Sequence, residues 1–285
     1  MAMLVAALAT FGFAPAASAH TGIWANFDYC PSTNPSAVKC IHSLTTGGRV
    51  VLGKKNVPIV NPVTLQGGLT KPERVGINFV AHMIAATNGE TLSKTPQPVP
   101  GGLAGLVNCK EIENFIARIG CEAVFENGLT GVNATLELAQ PANEVLVNEN
   151  AILEREEVAL KLPVKVHLEN PFLGSSCYVG SSSTPLIWNL TTGTTAPPAG
   201  HTPLTGEEGL VEFLESNEII RLTGTELVEN NWPAPHASGC GGWPLEYIID
   251  PIIDASVGLP SAAGVNEAVL VNTIVQANAA QVNEH

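Results

Sequence analysis

The most regular stretch of the chain is 158–168. There Val158, Leu160, Leu162, Val164, Val166 and Leu168 alternate with Ala159, Lys161, Pro163, Lys165 and His167. A period of two places the first set on one face of a β-strand and leaves the other face wet. Pro163 has no N–H to offer a ladder, which predicts an edge strand or a bulge. Shorter runs of Val, Ile, Leu and Thr, each bounded by Gly, Pro, Asn or Ser, predict further strands at 49–52, 57–60, 132–138, 186–190 and 219–223.

Helical periodicity is sparse. Asn108 followed by Glu111 forms a capping signal, after which Ile112, Phe115, Ile116 and Ile119 share one face as far as Gly120. A second helix is predicted over 265–279, with Val265, Ala268, Val269, Ile274 and Val275 apolar and Asn266, Glu267, Asn272 and Gln276 polar. The 27 glycines and 21 prolines recur between short strands, as in sandwiches and barrels. The expected fold is therefore mainly β with an α+β tendency: an antiparallel, sandwich-like arrangement with two short helices, one of them C-terminal.

The first residues follow another pattern. Residues 4–13 are apolar or small, Pro15 ends the run, and Ala17-Ser18-Ala19 is a small-x-small cleavage site, so 1–19 reads as an export signal with His20 as the new N-terminus. The run is too short to cross about 30 Å of hydrocarbon. It lacks the usual basic residue in front, which points to a start further upstream. Elsewhere the most apolar stretch, 247–257, is interrupted by Asp250, Pro251 and Asp254, so no membrane span is expected after cleavage. Residues 20–285 are expected to form one domain. Any subdivision would fall in the Pro/Gly-rich stretches 95–105 or 191–205.

All six cysteines follow the signal, and an even number in an exported chain predicts disulfides. Of the 15 possible connectivities, short loops favour Cys30 with Cys40 and Cys109 with Cys121, which leaves Cys177 with Cys240. The middle pair conflicts with the first predicted helix. A continuous helix would hold Cys109 and Cys121 about 18 Å apart, whereas a bridge needs their Cα atoms within about 7 Å, so the helix must stop and the chain double back. The spacings are too wide for a zinc knuckle, and no metal is expected. A net charge of −13, with Lys54-Lys55 the densest basic spot, argues against nucleic acid as a partner. It reads as a solvated acidic surface.

Several phrases of the chain are distinctive: Gly53-Lys54-Lys55-Asn56-Val57-Pro58-Ile59, Leu65-Gln66-Gly67-Gly68-Leu69, Phe125-Glu126-Asn127, Leu168-Glu169-Asn170-Pro171-Phe172 and Gly258-Leu259-Pro260-Ser261-Ala262-Ala263-Gly264. Together they resemble secreted proteins of unknown function found in actinobacteria. The resemblance spans most of residues 20–285. It implies export and a shared fold, and brings no activity with it.

Catalytic patterns are weak. Gly180-Ser181-Ser182-Ser183-Thr184 lacks the second glycine of a nucleophile elbow and reads as a polar loop. The seven histidines are scattered singly, and no dinucleotide or Walker motif is present, so no cofactor is expected. Paired carboxylates are available in Asp250 with Asp254, and in Glu154 with Glu156 and Glu157. Such pairs suit glycoside hydrolysis, and any acidic chain of this length supplies several. The loop from Trp232 through His236 to Trp243, pinned by Cys240, holds two of only four tryptophans. Trp232, His236 and Trp243 are the candidate binding residues. The competing expectation, favoured by burial tendencies, is that both indoles cover the disulfide. The sequence thus predicts a secreted, non-catalytic structural or interaction protein of the cell envelope or medium, partnered by an envelope component or protein. Its rival is a secreted carbohydrate hydrolase.

Overall fold

The computed structural model describes residues 20–76, 78–102, 115, 118 and 131–285. Most of the predicted helix around 108–120, the Cys109–Cys121 pair and the expected export signal at 1–19 lie outside these residues. The strands, in chain order, are β1 (Lys39–Leu52), β2 (Lys55–Pro58), β3 (Val63–Leu69), β4 (Glu73–Val75), β5 (Asn78–Ala85), β6 (Pro96–Pro98), β7 (Asn133–Leu138) and β8 (Leu146–Val147). They continue with β9 (Leu160–Glu169), β10 (Tyr178–Val179), β11 (Leu186–Leu190), β12 (Leu210–Leu214), β13 (Ile219–Glu229), β14 (Ala237–Ser238) and β15 (Glu267–Asn278). Three short α-helices lie wholly within the described residues: α1 (Glu149–Glu154), α2 (Glu246–Val257) and α3 (Ala279–Val282).

The main path of hydrogen-bonded neighbours is β12-β13-β15-β1-β3-β5-β8-β9-β10-β14, and β11 and β7 also pair with β9. All the strand pairings are antiparallel. β5 joins the two halves of this path, pairing with β3 through Met83–Ala85 residues and with β8 through Ala81 and His82. On the far side Thr191, just past β11, and Val228 of β13 exchange both backbone hydrogen bonds, at 3.0 and 2.9 Å. The sheet therefore folds over into two facing layers linked at both margins, the sandwich-like architecture expected from the pattern. Between them Leu222, Leu270 and Ile274 of one layer join a single buried cluster with Leu162, Val164 and Trp188 of the other.

β9 has neighbours on both sides, which corrects the expectation of an edge strand. Pro163 carries its N and its C=O on the same side, and that carbonyl accepts from Ala139 N at 3.0 Å. On this flank the partner changes from β8, which reaches Lys161, to β7, which begins opposite Val164. The missing N–H thus falls in a gap between ladders.

The predicted helix over 265–279 is also corrected: Glu267–Asn278 is strand β15, and only the single turn of α3 follows it. Val269, Val271, Thr273, Ile274 and Val275 are β-branched, which favours a pleated surface. β15 lies between β1 and β13, so both of its edges are paired, and of the polar residues that mimicked a helical face Asn266, Asn272 and Gln276 are buried while Glu267 is half-buried against Arg49. Asn272 accepts from Thr45 Oγ1 at 2.7 Å and donates to Leu270 O at 2.8 Å. Bulges in β1 and β13 flank it on either side. Gly48, just past the first bulge, has φ +106°, and a Cβ there would lie 2.0 Å from Val269 O, so no other residue fits.

A second cluster packs Trp24, Phe27 and the Cys30–Cys40 disulfide, with Cα atoms 5.6 Å apart, against Val275, Ala277 and Val282. Cys177–Cys240 forms the other described bridge, with Cα atoms 4.0 Å apart. Among the described residues no helix is long and apolar enough to cross a membrane.

Candidate functional site

α2 organises the loop that leads into it. Asp250 and Asp254 are one helical turn apart and face the same way. Asp250 accepts from Gly239 N at 3.2 Å and Cys240 N at 2.7 Å. Asp254 accepts from Ala237 N at 2.8 Å and from His236 Nδ1 at 2.6 Å. The loop is thereby tied to α2 by four bonds, to Cys177 by the disulfide, and to β10 through β14. The carboxylate pair thus braces the loop: three of its four bonds hold backbone N–H groups, and the fourth holds the exposed His236 ring.

The three predicted binding residues do not converge. Trp232 is 1% exposed, and its indole tilts against that of Trp188 with ring centroids 5.6 Å apart. Both indole N–H groups are buried without a protein partner. His236 is exposed but lies against the second half of α2, through Asp254. Trp243 is 81% exposed, next to Leu245 and to Tyr247 and Ile248 in the first turn of α2, which are 73% and 61% exposed. The expectation that both indoles cover the disulfide is therefore corrected: one is core and the other projects from the surface. α2 itself escaped the sequence reading because Asp250, Pro251 and Asp254 break up its apolar run. The signal lay in Ile249, Ile252, Ile253 and Val257, which recur at helical spacing and pack inward.

A polar cleft of about 340 Å³ lies elsewhere, where Glu156 and Glu157 meet Glu229, Asn189 and Asn231. Glu229 ends β13 and is 5% exposed. Burial pushes its carboxyl above the ordinary glutamate value, opposed by backbone N–H groups of Asn231, Asn230 and Asn189. Two of the three glutamates singled out from the sequence thus share a cleft with a third that was missed. Its only signal was an acid directly after the apolar pair Leu227-Val228. Glu154 lines a neighbouring hollow instead. In the polar loop the Ser181 hydroxyl is bonded to Ser183 and Thr184, at 3.0 and 2.8 Å. Among the described residues no three His, Cys, Asp or Glu side chains are grouped to hold a metal.

Fold and site together define a disulfide-bonded, antiparallel β sandwich-like protein with a braced aromatic projection. In comparisons with protein-family models, curated proteins and solved structures, the chain matches none.

Proposed function

We propose that this chain is a secreted, non-catalytic interaction protein that docks onto a protein of the cell envelope through the Trp243 projection. The observation that carries this is the exposure of Trp243 on a backbone braced by a disulfide and two carboxylates. Little ordering entropy remains to be lost when such a loop binds. Trp and Tyr dominate the energetic centres of protein interfaces, and Leu245 and Ile248 extend the patch with aliphatic surface that a sugar face would not require. Export is supported by the two disulfides, which persist in oxidising compartments. It is supported too by His20, whose N lies 2.9 Å from Asp28 Oδ1 and whose ring bonds Asp28 and Val282 O, so an amino terminus created there would meet a carboxylate. The test is retention of the purified protein on envelope preparations. Trp243→Ala should abolish retention without changing the melting temperature, and protease treatment of the preparation should do the same. Retention that survives Trp243→Ala would end the proposal.

A second reading rests on the cleft. A carboxyl whose proton affinity is raised by burial, in a cleft with other carboxyl groups, is the arrangement of a glycoside hydrolase acid, and Glu229 with Glu156 and Glu157 resembles it. Reducing-end release from envelope polysaccharide, lost in Glu229→Gln, would favour the enzyme; no release by the unmodified protein would dismiss it.

A further inference from the structure

We propose that the space between the two layers is a binding slot for an anionic amphiphile, a fatty-acid carboxylate whose chain lies along β9 and whose head group is held by Lys55. Two adjoining apolar cavities, with room for about 50 and 30 Å³ of water-sized centres, share Ile59, Val63 and Leu136 as lining. The first reaches Val166 and Leu168 of β9 and the second Leu160 and Leu162. The two linings together follow β9 from residue 160 to residue 168, about 26 Å at the rise of a strand, which is room enough in length for an extended chain. Apolar cavities stay dry and accept apolar ligands.

Among the described residues the one charged side chain in this lining is Lys55. It lies on the edge strand β2 opposite Leu52, in register with Val57 opposite Val50, so its side chain shares the inward face with three apolar neighbours. Among the slot residues Lys55, Val57, Ala134 and Leu136 keep partial exposure while Val50, Leu52 and Val63 are buried, which places the opening beside Lys55. Among the described residues Lys55 has neither an ion-pair nor a hydrogen-bond partner. Lys54 stands next to it, and the two form the densest basic spot of a chain with net charge −13. Desolvation, then Lys54, push the Lys55 ammonium below the ordinary lysine value, a cost that an incoming carboxylate would relieve. The hairpin tip is fixed beneath the end of α2, where Lys54 N donates to Val257 O at 2.7 Å, and Val257 itself lines the slot. An inward lysine on an edge strand can also serve only to block edge-to-edge pairing, and the experiment separates that role from binding.

The protein spanning residues 20–285, with its disulfides intact, is titrated calorimetrically with laurate below its micelle concentration. The expected result is saturable one-to-one binding. Lys55→Gln should weaken it about tenfold, the loss of one charge-assisted hydrogen bond. Val57→Phe should abolish binding by filling the slot without lowering the melting temperature. Should that variant fail to fold, Ala134→Leu on the opposite wall serves instead. Dodecyltrimethylammonium, with the same chain and the opposite charge, should not bind. The proposal is overturned by absent or non-saturable laurate binding, by binding that Lys55→Gln leaves unchanged, by binding that survives in the slot-filling variant, or by equal affinity for the cation.

Discussion

Trp232 and Trp243 begin and end the same loop, yet they meet opposite surroundings. Trp232 lies between the layers against Trp188, in the cluster that joins β9, β11 and β13. Trp243 stands in solvent beyond the point where the disulfide and Asp250 hold the loop. The difference shows that a rigid loop can anchor one end in the core and present the other. The bracing that makes the projection stiff is separate from the projection itself.

Substitutions can break this contrast. The largest effect is expected at Trp232, where truncation to Ala should lower stability by about 3–5 kcal/mol, as for other large buried aromatics. Trp232→Phe should cost much less, because it keeps most of the apolar volume and removes a buried N–H that has no protein partner. Denaturant unfolding of both variants checks this, and equal losses would mean that the indole nitrogen is satisfied in solution. Next comes the brace. Asp250→Ala leaves the N–H groups of Gly239 and Cys240 without their acceptor, at an expected cost of about 1–3 kcal/mol. It should also loosen Trp243, read as a drop in its fluorescence anisotropy.

Glu229, three residues before Trp232, gives a pH-dependent effect on the buried side. Its folded-state value lies above the ordinary 4.5 because of burial, so the folded protein holds this proton more tightly than the unfolded chain does. Stability from this group is then lost as pH rises from about 4.5 through the folded value, and the full cost of ionisation is present above it. Glu229→Gln should therefore raise the melting temperature relative to the unmodified protein at neutral pH, with the gain vanishing near pH 4.5. A gain independent of pH would show that ionisation is not the cause. The smallest effect is expected at Trp243, where Ala should change stability by no more than about 0.5 kcal/mol, the range of exposed positions. A loss of several kcal/mol would place this indole in the core after all.

Much of the architecture was legible because strand pattern is local. Residues 186–190 form β11 as expected, and the alternation through 158–168 became β9, the strand with the most neighbours. Its neighbours were not legible. Alternation names a strand's faces, whereas what flanks its edges is set by residues far along the chain, such as β7 and β11. The 265–279 segment failed for a related reason. Asn272 and Gln276 look like a wet face until the strands that bury them, and the Thr45 hydroxyl that bonds Asn272, are known.

The candidate site divided along the same line. The short loop between Cys30 and Cys40 made that pairing legible, and Cys177 with Cys240 followed as the remaining pair among 15 connectivities; the structure has both. They also named the loop that carries Trp232, His236 and Trp243. Only the tertiary structure decided which indole is core, that Asp250 and Asp254 brace the loop, and that Glu229 joins Glu156 and Glu157. The physical reason is common to all of these: exposure, desolvation and hydrogen-bond satisfaction depend on which distant segments pack together. The order of side chains along one segment carries its periodicity but not its neighbours.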